Sequence, residues 1–474
     1  MKKNNPIKIY NTLSGKKDIL KPLRGKKINL FVCGPTVYDF SHIGHARTYI
    51  IFDCFAKYLK NQGFDVFYLQ NITNIDDKII MRAREKGVPP EDLAEAFFND
   101  YLKDIKNLGI TTVKKYAEAT DYIKEIINQI QRLEQKGYAY TLEDGIYFDI
   151  SKVKNYGKLS HRTALQAEDS ISRIDYSKNK INRGDFALWK FATPGEPSWP
   201  APFGSGRPGW HIEDTAITEK FFGPQYDIHG GGRDLIFPHH EAEVTQMEAV
   251  SGKKPMASYW MHTGFLTING QKMSKSLGNG ITIDNFLKRY SMQDLRFWIA
   301  KNLWHSPVDY SDSIMIEVKM ALEKIEEFLR KIKSQKSKVK NANQNSKLLK
   351  KFKTDFWTEL ADDFNTPKAF AVIFNFIKET NKIIDEGAID KKNAGEIYKF
   401  FEEINDIFGI IDFKKLKTSN VPAEVMELVK VRENHRKAQE WQQSDELRQE
   451  IEKYGFSVDD TPGGSIVKKI ENRI

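Results

Sequence analysis

Residues 27–46 read Lys27-Ile-Asn-Leu-Phe-Val-Cys33-Gly34-Pro35-Thr36-Val37-Tyr38-Asp39-Phe40-Ser41-His42-Ile43-Gly44-His45-Ala46. The run 27–33 is apolar and short, as a buried strand is, and Gly34-Pro35 ends it. From Ala46 onward Ile50, Ile51, Cys54, Phe55, Tyr58 and Leu59 recur at helical spacing, which predicts a helix beginning at Ala46. After Gly63, residues 64–72 (FDVFYLQNI) read as a second strand. Strand, turn, helix and strand open a doubly wound parallel sheet, so the fold class is α/β with a Rossmann-like first domain.

Residues 92–136 are mostly helical in pattern. Tyr138 to Asp149 alternates around Asp144-Gly145, the mark of a β-hairpin. Residues 150–206 are polar with little periodicity, and 226–263 return to strand and helix patterns. From about residue 284 the chain reads as helical. The stretch Ser334 to Ser346 has almost no apolar residue, which predicts a mobile loop, with a basic RNA-contacting arm as the alternative. Beyond Asn420-Val421-Pro422 the pattern is mixed, and no internal repeat occurs. The expected organisation is a sheet domain over 1–120 and 204–262, an insertion over 121–203, a linking segment over 263–314, a helical bundle over 315–415 and a small domain over 416–474.

A chain of 474 residues exceeds one ordinary core, and domains of about 100–150 residues predict about three. Hydrophobic residues at 40% exclude global disorder. A formal charge of +9 fits a polyanionic partner, or a Lys-rich surface without one. Two cysteines, Cys33 and Cys54, fit a reducing cytoplasm. No run of about 18 apolar residues predicts a transmembrane helix, and the first residues lack the apolar core of a signal peptide. No GxxxxGK[ST] pattern occurs, which excludes a P-loop kinase or ATPase.

His42-Ile43-Gly44-His45 stands before the first helix, where unpaired N–H groups and the helix dipole suit a phosphate. Lys272-Met273-Ser274-Lys275-Ser276 follows Asn269-Gly270, and its two lysines can offset charge developing on a leaving pyrophosphate, or form a solvated basic turn. Pro238 can open a helix, placing His239 and Glu243 at i and i+4 on one face. That spacing suits two ligands of one metal, or an ordinary His–Glu pair.

Together the two loop motifs resemble the two signatures of class I aminoacyl-tRNA synthetases. Cys33-Gly34-Pro35-Thr36-Val37-Tyr38-Asp39, Asn71 to Lys78, Asp185 to Lys190, Gly206 to Glu213, His229 to Leu235, Phe237 to Glu243 and Asp363 to Pro367 narrow the resemblance to cysteinyl-tRNA synthetases. It implies cysteine activation with ATP and transfer to tRNA-Cys, by a monomer, with Mg2+ accompanying ATP. Catalytic roles fall on His42, His45, Lys272 and Lys275, and ATP binding on His42, Gly44, His45 and Lys275. Thr73, Trp210, His229 and Asp234 would bind cysteine. One zinc ion would be held by Cys33, residue 214, His239 and Glu243. This chain departs from the family's Cys at that second position and carries Asp214. An Asp supplies the negative charge of a thiolate but hardens the site, which broadens metal choice. Arg436, Trp441, Asp445 and Asp460 match positions the family uses around the anticodon, so 416–474 is expected to bind it and 315–415 the stem. The rivals are a ligase joining cysteine to an amino-sugar, an inactive tRNA-binding paralogue and a nucleotidylyltransferase.

Overall fold

The computed structural model describes residues 5–162, 179–273, 278–334, 342–386, 389–417, 422–461 and 464–470. Two compact units emerge, one of residues 1–316 with 358–367, the other of 317–357 with 368–474.

The first unit opens with a hairpin, β1 (Lys8–Asn11) and β2 (Lys16–Ile19), followed by β3 (Lys27–Val32), α1 (Ile43–Asn61) and β4 (Asp65–Ile72). Then come α2 (Asp77–Lys86), α3 (Pro90–Asn107), β5 (Val113–Glu118) and α4 (Ile123–Gln135). A second sheet holds β6 (Ala139–Leu142), β7 (Gly145–Phe148), β8 (Phe186–Phe191) and β9 (Gly206–Pro208). The chain returns through α5 (Ile212–Phe222), β10 (Tyr226–Gly232), α6 (Glu241–Ser251) and β11 (Ala257–Thr263). It closes with β12 (Leu266–Ile268), β13 (Gln271–Lys272), α7 (Ile283–Leu287), α8 (Met292–Ala300) and β14 (Val308–Tyr310).

The central sheet is parallel, in the order β11-β10-β3-β4-β5. After β3 the chain moves one way to β4, and it later returns on the other side as β10. The carboxyl ends of β3 and β10 therefore form the switch point where ligands bind in such sheets. Glycines let neighbours close in there. A Cβ on Gly230 would lie 2.3 Å from the Phe52 ring, and one on Gly34 1.8 Å from the Asn71 carbonyl oxygen.

Five expectations change. The helix predicted from Ala46 starts at Ile43, because His42 caps it. The helical reading of 92–136 contains the strand β5, and the helical reading after 284 contains β14. The polar region 150–206 carries β8, which pairs with β7. Of the loop expected over 334–346, Ser334 ends one helix and residues from Ala342 onward begin the next, while 335–341 lie outside the described residues.

The later helices are α9 (Asp312–Ser334), α10 (Ala342–Ala361), α11 (Thr366–Asp385), α12 (Lys391–Phe408) and α13 (Phe413–Lys417). The chain ends with α14 (Ala423–Lys437), α15 (Trp441–Lys453) and a hairpin of β15 (Phe456–Thr461) and β16 (Gly464–Lys469). In the second unit Phe328, Phe352, Phe376 and Phe401 form one aromatic core. Val425, Val429, Ile451, Phe456 and Val458 form another.

Candidate active site

Cys33 leaves the end of β3, and Asp214 lies in the first turn of α5. His239 sits on a five-residue turn of π-helical type, Ile236–His240. Pro238 opens the helical run that continues through His240 into α6, as expected. Phe237 is extended (φ −137°, ψ 130°), and α6 proper begins at Glu241. The break lies before His239, so the i, i+4 spacing holds, with His239 Nε2 3.0 Å from Glu243 Oε1. The same Nε2 lies 3.1 Å from Asp214 Oδ2 and 3.6 Å from Cys33 Sγ. Tetrahedral zinc with such bonds holds its ligands roughly 3.3–3.6 Å apart, close to these spacings.

All four side chains are buried. Asp214 Oδ1, both Glu243 oxygens and the Nε2 atoms of His229 and His240 are buried without a hydrogen-bond partner. Buried polar atoms are ordinarily satisfied, so a cluster of orphans around one thiol, two carboxylates and imidazoles fits a cation. The charges record the same crowding. Burial, with Asp214 adding to it, pushes the Cys33 thiol well above its usual range. Burial lifts Glu243 to about 8, against the pull of His239. Burial works against a charge on His239, yet Glu243, Cys33 and Asp214 raise it well above the usual value. His229 and His240 are pushed well down by burial and by neighbouring histidines.

The surrounding shell orients these groups. His239 Nδ1 is 2.8 Å from His211 Nδ1, and His240 Nδ1 is 2.8 Å from His262 Nε2. Tyr226 Oη lies 2.7 Å from His229 Nδ1. Trp210 stacks on His239 with ring centroids 4.3 Å apart. Thr73, expected to bond near the substrate, donates its hydroxyl proton to the buried Glu213 carboxylate. Asp234 lies in the short turn after β10. Glu213, His211, His240 and His262 are site residues that sequence reasoning did not single out. The only sequence signal for Glu213, His211 and His240 is their place inside the quoted motifs, and His262 lies outside them.

The phosphate end differs from expectation. The first N–H groups of α1 are already used: Ile43 donates to the Ile281 carbonyl at 3.0 Å, and Gly44 and His45 donate to His42 Nδ1 at 3.1 and 3.3 Å. The helix therefore offers its dipole there rather than unpaired donors. The His42 N–H donates in turn to His45 Nδ1 at 3.3 Å, and the two rings stack at 3.8 Å. With both Nδ1 atoms accepting, each neutral ring carries its proton on Nε2, so both histidines are donors there. A Cβ on Gly44 would lie 2.9 Å from the His42 ring and 3.0 Å from the Met273 methyl, so glycine lets the second loop approach the first. Lys272 is exposed in β13, while Lys275 lies outside the described residues.

In the second unit Arg432 grips Asp460 with two bonds, 2.6 and 2.8 Å, and Arg436 adds an ion pair at 3.2 Å. Asp460 is thus tied to two arginines. Arg436 also lies 5.4 Å from the centroid of the Trp441 ring, which is 55% exposed, and Asp445 is exposed beside it.

The family described as "tRNA synthetases class I (C) catalytic domain" matches residues 19–320, and the DALR domain matches 355–412. A Methanococcus maripaludis protein named "Cysteine--tRNA ligase" is 43% identical, covering 98% of this chain and 99% of its own length. Proteins of the same name from Thermococcus gammatolerans and Thermoplasma acidophilum are 41% and 43% identical, covering 98% and 96% of this chain and 99% and 98% of their own lengths. The chain belongs to the cysteine–tRNA ligase family. It is a class I aminoacyl-tRNA synthetase. Among solved structures, a Mycobacterium tuberculosis methionyl-tRNA synthetase with methionyl-adenylate superposes with a TM-score of 0.62 at 15% identity, covering 81% of this chain and 89% of that one. That likeness speaks to the fold. A cysteine–tRNA ligase acts on ATP, an amino acid and tRNA, and members of the family bind zinc. Among the described residues no helix is long and apolar enough to cross a membrane.

Proposed function

We propose that this ligase activates L-cysteine with ATP and transfers it to the 3′ end of tRNA-Cys, with one zinc ion held by Cys33, Asp214, His239 and Glu243. The observation that carries this reading is the buried donor cluster, in which Cys33, Asp214 and Glu243 converge on His239 Nε2 and several buried oxygens and nitrogens lack a hydrogen-bond partner. When bound, the metal would take the substrate's thiolate, which a serine hydroxyl replaces poorly, so discrimination does not rest on contact area.

The chain's own residues supply the rest. Trp210, stacked on His239, walls the pocket. Thr73 is oriented by Glu213, and Asp234 pairs with the substrate ammonium. His42 and His45 donate from Nε2 to the ATP phosphates, and Lys272 and Lys275 counter the charge that builds on pyrophosphate. Mg2+ accompanies the nucleotide. The carboxylate attacks the α-phosphate in line, and the tRNA's terminal ribose hydroxyl then attacks the adenylate carbonyl. No protein nucleophile is needed; positioning and charge stabilisation carry the rate. Arg436, Trp441, Asp445 and Asp460 form the anticodon end, where the exposed indole can stack on a base. The enzyme works as a cytoplasmic monomer.

The test is charging of a tRNA-Cys transcript with labelled cysteine, run beside metal analysis of the purified protein. Cysteine on the tRNA with about one zinc per chain is expected. Adenylate without charging would favour the amino-sugar ligase, and far less than stoichiometric metal after zinc supplementation would remove Asp214 from the ligand set.

A further inference from the structure

Helix α2 begins beside the pocket wall and leads away from it. Lys78, Arg82 and Lys86 are spaced at i, i+4 and i+8 along it, so they share one face. The Lys78 ammonium lies 5.7 Å from the Tyr38 ring centroid and 5.9 Å from that of Trp210. One turn on, Arg82 pairs with Glu85 at 2.9 Å and also feels the charge of Asp39. A further turn on, the Lys86 ammonium lies 4.9 Å from the Phe97 ring centroid. Phe97 in turn meets Phe40 edge-on at 5.2 Å and 87°. Phe40 is 55% exposed and stands two residues before His42. Cations and rings therefore alternate from the pocket wall out to solvent.

We propose that this face of α2, with Tyr38 and Phe40, is the track for the unpaired 3′ end of the tRNA. The inference rests on the charging reaction proposed above. A single strand needs cations along its phosphates and ring faces for its bases, and this stripe provides both. Its course also meets a requirement of the chemistry. The terminal ribose must reach an adenylate lying between the two histidines and the metal cluster, so the last nucleotides must cross the rim beside His42. The neighbouring groove between α3 and β5, about 920 Å³, cannot serve, because Glu91, Glu95, Glu118 and Glu196 line it and repel phosphate.

The test compares cysteine-dependent ATP–pyrophosphate exchange with tRNA charging in the full-length enzyme and in Phe40→Ala, Phe40→Tyr and Lys86→Ala. Phe40→Ala should lower kcat/KM for tRNA by roughly tenfold or more, the scale of one lost base–ring stack, and leave exchange unchanged. Phe40→Tyr should restore charging. Lys86→Ala should flatten the salt dependence of charging by about 0.7 in log–log slope. Normal charging by Phe40→Ala overturns the proposal, as does an equal fall in exchange, which would mark a defect of fold or of adenylation. A wild-type enzyme that makes adenylate but charges nothing would overturn the charging reaction itself, whereas the variant-to-wild-type ratio tests the track alone.

Discussion

Replacing Asp214 by cysteine should tighten zinc binding and sharpen preference for zinc over harder divalent ions, because a thiolate replaces a carboxylate oxygen. Competition with a chromophoric chelator measures it, and unchanged or weaker zinc affinity would place Asp214 outside the ligand set. At the other loop, Lys272→Ala should keep the fold, since the side chain is exposed. It should slow adenylate formation by roughly 10²–10³-fold, read by pyrophosphate exchange. Residues such as Cys33, His239 and Glu243 were legible because their spacing and neighbours sit inside short motifs. Glu213 was not, because its meaning is the Thr73 hydroxyl, far away in sequence and joined to it only by the fold. Nor was the occupancy of the α1 N-terminus, where a carbonyl from Ile281 and the cap ring of His42 take the donors.

A buried ion pair ties α1, which the first motif opens, to α8. Asp53 of α1 bonds Arg296 of α8 at 2.8 Å, with side-chain exposures of 0% and 1%. Lys57, Thr111 and Thr112 complete the carboxylate's shell. Asp53→Asn would leave a buried guanidinium uncompensated and should cost about 3–5 kcal/mol in urea unfolding. Burial works against the Asp53 charge, but Arg296 and Lys57 prevail and hold its carboxyl below the usual carboxylate range. A carboxyl lowered in the folded state stabilises above its unfolded value of about 3.9 and loses that stabilisation as pH falls through the folded value. The stability gap between wild type and Asp53→Asn should therefore be level near neutrality and close below about pH 4. A gap that instead opens on acidification would contradict the pairing. At this scale the sequence showed β3, α1 and β4, whose apolar content is dense. It hid β5, an edge strand in which Ala117 is the one buried residue and no apolar run exists to read. β14 is only three residues long, too short for any period.

The first unit is not one stretch of chain. Residues 358–367 return to it after the chain has entered the helical unit. Asp363 accepts from the Tyr10 N–H at 2.7 Å and lies 3.1 Å from His305 Nε2, and its carbonyl accepts from Trp304 Nε1 at 3.0 Å. Phe364 packs against Phe55 and Tyr58. A fragment of residues 1–316 should accordingly be markedly less stable than one of residues 1–417, with thermal unfolding as the measure, even though the shorter piece contains both loop motifs. The longer fragment keeps the returning segment and lacks only α14, α15 and the terminal hairpin, which have a core of their own. It should retain pyrophosphate exchange and lose tRNA charging. That the Asp363–Pro367 stretch mattered was legible from its motif, but not that it belongs to the sheet unit, because membership is set by partners near residues 10, 55 and 305.

The returning segment also sets a schedule. A chain emerging from the ribosome presents every strand of the central sheet long before residue 367 has left the exit tunnel. Until then Phe55 and Tyr58 lack their partner and the Tyr10 amide its acceptor, so the sheet unit waits, nearly built, while helices α9 and α10 are made. Slow codons placed between residues 316 and 358 would lengthen that exposure, and the nascent protein would be most in need of a chaperone at that moment, although none of the residues being translated belongs to the unit at risk.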